Sequence, residues 1–433
     1  MAGECWAAKR FDECAELIRD TVDPSDMRGV PYIGLEHIAE GQLALAGHGS
    51  TEQVTSIKSR FRKGDILFGK LRPYFRKVVI APFDGVCSTD IWVVRARQGI
   101  DLRYLFYWMA SYEFIEESTR ASEGTRMPRA QWEFVGRIEK PVPPLKDQQA
   151  IACILGALDD KIELNRRMSQ TLEAMARAIF KSWFVDFDPV RAKAAVRREH
   201  PDWTNAQVSR AACPNLKPEI AELFPDRLVE SELCEIPEGW SASTVRQHFR
   251  LTMGQSPPGS TYNENGEGMP FYQGRTDFGF RFPTRRVFCT APTRFAETGD
   301  TLVSVRAPVG DLNIANERCA VGRGVAAIRH RSGSRSFTYY SMNHLGEHFS
   351  QFEAEGTVFG CINKADFERL PFVVPVPDIL AVFDRIVLPL DDRLETNERQ
   401  SLILASIRDA LLPKLISGEL RIADAERIAG RLL

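Results

Sequence analysis

Two short runs in this 433-residue chain have residue types and spacing that could do chemistry. Gly64–Leu71 reads GDILFGKL, close to the phosphate-binding pattern G-x-x-x-x-G-K-[ST]. In that pattern backbone amides wrap the phosphates, the lysine reaches them and the final hydroxyl holds magnesium. Here the hydroxyl position is Leu71 and the interior is apolar, so the run reads as a strand rather than a nucleotide loop. His344–His348 reads HLGEH, the H-x-x-E-H spacing that sets two imidazoles on one helix face for zinc, with a glutamate as base. Gly346 weakens such a helix, and the matching place in the first half, YEFIE (112–116), has no histidine. A metal hydrolase using HLGEH is therefore kept as a rival reading. No Gly-x-Ser-x-Gly elbow, Rossmann fingerprint or Cys/His cluster is present. The expectation is no catalytic residue, no metal and no cofactor in this chain.

Basic clusters are the other chemistry-bearing feature. Lys58, Arg60, Arg62, Lys63, Lys70, Arg72, Arg76 and Lys77 face only Asp65 in that stretch, with Phe61, Tyr74 and Phe75 among them. Arg281, Arg285, Arg286 and Arg294 form a second cluster, and Arg318, Arg323, Arg329, Arg331 and Arg335 a third. Lysine and arginine neutralise phosphates, and arginine also grips guanine with two parallel hydrogen bonds. The residues chosen for DNA contact are Lys70, Arg72, Arg76 and Arg126 in the first half, and Arg275, Arg306 and Arg323 in the second.

The elements that must position these residues come in duplicate. At an offset of about 232 residues, LDDKIELN (158–165) falls on LDDRLETN (390–397), and EGT at 123–125 on EGT at 355–357. With small gaps KGDILFGKLRP (63–73) falls on TGDTLVSVRAP (298–308), PVPPL (141–145) lies near PFVVPVP (371–377), and Trp6 falls near Trp240. The match is strong after each Pro-rich stretch and weak before it, so like helices carry unlike heads. Between Lys146 and Phe184 there is no proline, and apolar residues recur at steps of four and three from Ile151 to Trp183. The same steps run from Phe383 to Leu415. Both seams place asparagine at one step, Asn165 and Asn397, and serine at the next. A buried asparagine costs stability unless paired, yet fixes register in a coiled coil, so the two helices are expected to pack on each other. Pro389 and Pro413 predict a kink or a second helix in two pieces.

The heads mix short β-rich runs, such as DILF (65–68), DIWVV (90–94) and TLVSV (301–305), with a helical stretch near each end. The fold class is therefore mixed α/β: two α/β heads separated by two long coiled-coil helices in a pseudo-twofold internal repeat. The boundaries are 1–143 for the first head, 144–185 for the first helix and 186–238 for a partly ordered linker. The second head is 239–375, the second helix 376–420 and the C-terminal tail 421–433.

Bulk properties narrow the class. A net charge of -2 excludes indiscriminate nucleic-acid binding, so DNA contact must come from local patches. Nine scattered cysteines without a Cys-x-x-Cys pair argue against a disulfide framework and a zinc ribbon. There is no apolar run of the ~18 residues that span a bilayer, and no signal-peptide pattern. A cytoplasmic protein is expected.

Four stretches, PVPPLKDQQAIACILGALDDKIELNRRM, AIFKSWFVDFDPVRAK, ELFPDRLVESELCEIPEGW and GDTLVSVRAPVGDLNIA, together with the duplicated plan, resemble the specificity (S) subunit of type I restriction-modification systems. The resemblance implies that each head is a target-recognition domain reading one half of a gapped, double-stranded DNA site through the major groove. It implies that the helices pair antiparallel and set the gap. It further implies two methyltransferase (M) subunits, which supply S-adenosylmethionine and the DNA methylation chemistry, with restriction/translocase (R) subunits as optional further partners. The remaining rival is a scaffold or adaptor that uses the same helices but binds no DNA.

Overall fold

The segments after the two Pro-rich stretches form helices Leu145–Phe184 and Pro377–Ile416, each 40 residues long. The division into two pieces expected at Pro389 does not occur: the second is one continuous helix through Pro389 and Pro413. Both prolines are exposed, so the carbonyl that each leaves without its helical donor can turn to water. In the computed structural model residues 6–123, 127–352 and 360–431 are described. Among them no helix is long and apolar enough to cross a membrane.

The chain divides into two units, Met1–Arg167 with Glu398–Leu433, and Met168–Asn397. Each unit therefore holds one head, and each long helix contributes residues to both. In the first unit a four-stranded antiparallel sheet has the order Ala15–Ile18, Ile91–Ala96, Ile66–Gly69, Val78–Ile80. The central strand Ile66–Gly69 is buried throughout, which explains its unbroken apolar sequence. Helix Leu102–Ala110, capped by the Asp101 carboxylate on the Tyr104 amide, is buried from Tyr104 to Ala110. Apart from the exposed Arg103 this helix is apolar, and such a surface must lie inside; it sits in a core with Ile151, Leu155 and Leu158 of the first long helix and Leu404, Leu411 and Leu415 of the second. Each fully buried side chain of that kind contributes ~1.5–3 kcal/mol.

The second unit repeats the plan, with sheet order Phe249–Met253, Val325–His330, Thr301–Ser304, Leu312–Ile314. Each head adds a five-stranded sheet containing one parallel pair, Pro31–Ile33 with Gly85–Cys87 in the first and Met269–Tyr272 with Cys319–Val321 in the second. The heads thus share the four-stranded sheet order and the parallel pair despite weak sequence identity, but Thr21–Val22 and Tyr262–Asn263 extend the five-stranded sheets at opposite edges.

The segment 186–238, expected as a partly ordered linker, is folded. Helices Asp188–Glu199, Asn205–Ala212 and Pro218–Ala221 precede a hairpin of Leu228–Glu230 and Glu235–Pro237. The buried Lys193 ammonium ties them by donating to Asn205 Oδ1 (2.8 Å), the Ala221 carbonyl (3.0 Å) and the Phe224 carbonyl. Phe187, Val190, Ile220 and Phe224 join the second unit's core. The signal was present in the sequence: Thr204 and Gln207 form a capping box, and Pro189 and Pro218 stand at helix starts.

Within the first unit the helix segments run antiparallel. Asn165 donates to Gln400 Oε1 (3.0 Å) and Ser401 Oγ (3.4 Å), and Arg408 meets Asp159 at 2.6 Å. Within the second, Asn397 donates to Ser169 Oγ at 3.4 Å. Both asparagines are buried at 1% exposure.

Arg408 is buried and also contacts Asp409 at 3.1 Å. Removing one partner of a buried pair costs ~3–5 kcal/mol. Arg408→Ala is expected to lower stability by about that much in urea unfolding, while the Arg408→Met, Asp159→Asn double variant recovers part of it. A loss under about 1 kcal/mol would show that the ion pair is not what holds this segment.

His330 is buried against Phe249, Phe337 and Phe372, and burial pulls its imidazole down to about 4. The unfolded imidazole titrates near ~6.5. As pH falls the unfolded state binds the proton first, so stability is lost between pH ~6.5 and ~4. His330→Leu is expected to flatten the pH dependence of unfolding in that window. An equally steep profile in the variant would contradict the assignment.

Candidate nucleic-acid interface

The KGD and TGD triplets build the same turn in both heads. Gly64 (φ +92°) and Gly299 (φ +85°) take the left-handed region, which favours glycine. Asp65 accepts from the Arg62 amide and pairs with Arg95 (2.6 Å), while Asp300 accepts from the Glu297 amide and pairs with Arg329 (2.5 Å). Each turn feeds a buried central strand, and the chain leaving that strand enters a matched set of backbone hydrogen bonds. The Lys70 amide donates to the Asp90 carbonyl and the Val305 amide to the Gly324 carbonyl, both at 2.9 Å. The Arg72 amide donates to the Pro128 carbonyl (2.8 Å) and the Ala307 amide to the Gly360 carbonyl (2.9 Å). The Ser88 amide donates to the Ile33 carbonyl (3.0 Å) and the Gly322 amide to the Tyr272 carbonyl (2.8 Å). Both heads thus hold one loop junction in one backbone frame.

The frame carries different side chains. In the first head it presents Lys70, Arg72, Thr89 and Arg129, with Arg129 held on Asp90 by bonds of 2.8 and 3.2 Å. A cleft beside it is lined by Lys70, Thr89, Arg129 and Gln131 with Trp92 and Trp132. In the second head Val305 and Ala307 stand at the Lys70 and Arg72 places, Arg306 lies between them at the place of Leu71, and the Gly322–Arg323–Gly324 tip stands where Ser88–Thr89–Asp90 does.

The chosen residues divide accordingly. Lys70 is half-buried, and Arg72, Arg306 and Arg323 are exposed at the two junctions. Arg275 is exposed and paired with Asp311 at 2.8 Å. Arg126 lies outside the described residues. Arg76 must be corrected: it is buried, donates to the Ala110 carbonyl (2.7 Å), pairs with Asp409 (2.8 Å) and stacks on Tyr112. Its guanidinium anchors the head to the second long helix and has no route to a phosphate.

The basic clusters shrink in the same way. Lys58 donates to the Ser56 carbonyl and hydroxyl, and burial lowers its pKa. Lys77 donates to the Leu35 carbonyl at 2.6 Å. In the second head Arg281 is buried, and Arg285, Arg286, Arg318, Arg329 and Arg335 each hold a carboxylate. Arg294, Arg306 and Arg323 carry no ion pair among the described residues.

The two catalytic-looking runs take structural roles. The interior of GDILFGKL is strand Ile66–Gly69, and HLGEH spans a helix break, with one helix ending at His344 and the next beginning at Gly346. Among the described residues no three His, Cys, Asp or Glu side chains are grouped to hold a metal ion. Thr89, exposed at the first junction, is not among the residues chosen from the sequence. The glycines on either side of Arg323 were the available signal for a close-packed loop tip.

The family model of the type I restriction modification DNA specificity domain matches residues 14–174. Over 439 residues the chain is 25% identical to the putative type I restriction enzyme MjaX specificity subunit of Methanocaldococcus jannaschii, covering 97% of this chain and 94% of that one. It is 26% identical over 411 residues to the HindI specificity subunit of Haemophilus influenzae, covering 84% and 88%. A solved S subunit of a type I restriction-modification system from M. genitalium shares the fold at a TM-score of 0.51 and 16% identity, covering 96% of this chain and 97% of that one.

Removing one phosphate-binding side chain from a protein–DNA interface reduces the salt slope of binding by about 1. Arg306→Ala is expected to do so in the assembled complex. Arg76→Ala should leave the slope unchanged and lower the unfolding midpoint instead. The reverse pattern would refute an exposed role for Arg306 and a structural one for Arg76.

Proposed function

We propose that this chain belongs to the type I restriction-modification specificity-subunit family, is the DNA-reading subunit of such a complex, and leaves the chemistry to its partners; its similarity to specificity subunits supports this. The observation that carries this reading is the shared backbone frame of the two heads with unlike exposed side chains on it. One frame used twice suits two docking events on the same polymer, and unlike side chains suit two different base sequences. Each head reads one half of a gapped double-stranded site in the major groove, where every base pair presents a distinct donor and acceptor pattern.

In this reading two methyltransferase subunits bind the chain and bring S-adenosylmethionine, and restriction/translocase subunits join in systems that cleave. This chain itself holds no cofactor. Its role is to select the site and to orient the partners on it. Asn165 with Ser401, and Asn397 with Ser169, fix the helix register within each unit, as paired spacer helices require.

Single-molecule methylome sequencing of the host, with this gene intact and deleted, tests the reading. One gapped adenine-methylation motif is expected to vanish on deletion. Unaltered methylation in cells that express the partner subunits would refute it. A non-DNA-binding adaptor, by contrast, would show no salt-dependent DNA affinity even with its partners present.

A second test addresses the gap. Four residues inserted after Asn165 and four after Asn397 lengthen each helix by about 6 Å. That is close to two base pairs at ~3.4 Å each. The gap should widen by about two base pairs with both half-sites unchanged. A constant gap would reject helix length as the ruler.

A further inference from the structure

Three backbone segments of the second head close on one another where glycine alone fits. A Cβ on Gly254 would lie 2.1 Å from the Gly322 carbonyl oxygen and 2.5 Å from that of Val325, and one on Gly324 would lie 2.2 Å from the Gln273 carbonyl oxygen. Without side chains in the way, the segments bond directly. The Gly254 amide donates to Val325, the Gln255 amide to Val321, both at 3.0 Å, and the Gly322 amide to Tyr272 at 2.8 Å. The Arg323 amide donates to Ser256 Oγ at 3.2 Å. The residues next to these contacts, Gln255, Gln273 and Arg323, are all exposed, and Arg323 holds no carboxylate among the described residues.

We infer that Gln255, Gln273 and Arg323 are the base-reading group of the second head, an inference that rests on the DNA-reading role above. Arginine matches O6 and N7 of guanine, and a carboxamide matches N6 and N7 of adenine. The inference therefore assigns to the second half-site a guanine read by Arg323 and an adenine read by a glutamine. Several features set these residues apart from the rest of the head's polar surface. Most arginines nearby are neutralised by carboxylates, so they are poorly placed to leave their partners for a base. The tip carrying Arg323 occupies the same frame position as Ser88–Thr89–Asp90 in the first head, where Asp90 binds Arg129. One position holds different hydrogen-bonding chemistry in the two heads, as two different half-sites require. The glycine-packed backbone also holds the three side chains on a rigid base, so that a mismatched base cannot be met by a shift of the loop.

The test is methylome sequencing of cells carrying the complete complex with Arg323→Ala, Arg323→Gln, Gln255→Ala or Gln273→Ala. In Arg323→Ala, discrimination at one guanine position of one half-site is expected to fall roughly five- to 150-fold. The other half-site and the gap should stay as they are. Arg323→Gln should move the preference at that position from guanine toward adenine. At least one glutamine variant should relax an adenine position in the same half-site. A wild-type motif in all four variants overturns this inference and leaves the DNA-reading role standing. So does loss of all methylation in both Arg323 variants, which would make Arg323 structural. Absence of any gapped motif in the wild type overturns the DNA-reading role itself, and this inference with it.

Discussion

A carboxylate at one repeated step of the long helices, Asp159 in the first unit and Asp391 in the second, joins each head to its helix segments. A charge taken out of water is costly unless it is paired and hydrogen-bonded, and both are. Tyr107 donates to Asp159 at 2.6 Å, and Tyr340 donates to Asp391 at 3.0 Å. Each also has a buried arginine beside it. In the first unit it is Arg408 from the second long helix, and in the second it is Arg281 from the head, 3.6 Å from Asp391 and stacked on Tyr339. The reason for the difference is visible in the repeat: the step matching Arg408 is Ala176, so the second unit must draw its cation from elsewhere.

The latch explains why charge along the sequence is a poor map of the DNA-facing surface. Arg76 and Arg281 belong to two of the basic clusters, yet both are consumed in holding a head to helix carboxylates. Several further arginines stabilise turns, as Arg95 and Arg329 do on the aspartates of the KGD and TGD triplets. The exposed Arg72, Arg306 and Arg323 stand instead at the loop junction of their own head. A chain of nearly neutral net charge can therefore present local positive surface where its loops meet.

Much of the architecture was legible in sequence because it depends on local periodicity. The helix from Leu145 to Phe184 follows from a Pro-free run with one apolar stripe, and its twin follows from the repeat. The strand in GDILFGKL was equally plain, displaced by one residue from the DILF run. The fold of 186–238 was not, because its short helices are held by a buried lysine bonded to carbonyls far along the chain. Nor was the survival of the second helix through Pro389. That depends on the face the proline occupies, and exposure is a property of the packed protein.

The order of residues alone thus determined the duplication, the two long helices, the matched asparagines and the family resemblance. These arise from spacing between near neighbours and from repetition, which no folding is needed to read. Only the tertiary structure decided which cations reach solvent, which carboxylates they neutralise, and that Gln255, Gln273 and Arg323 stand on one surface. The physical reason is distance along the chain. Gln255 and Arg323 come together only because glycines at 254 and 324 let their backbones touch, and such a contact has no periodicity to betray it.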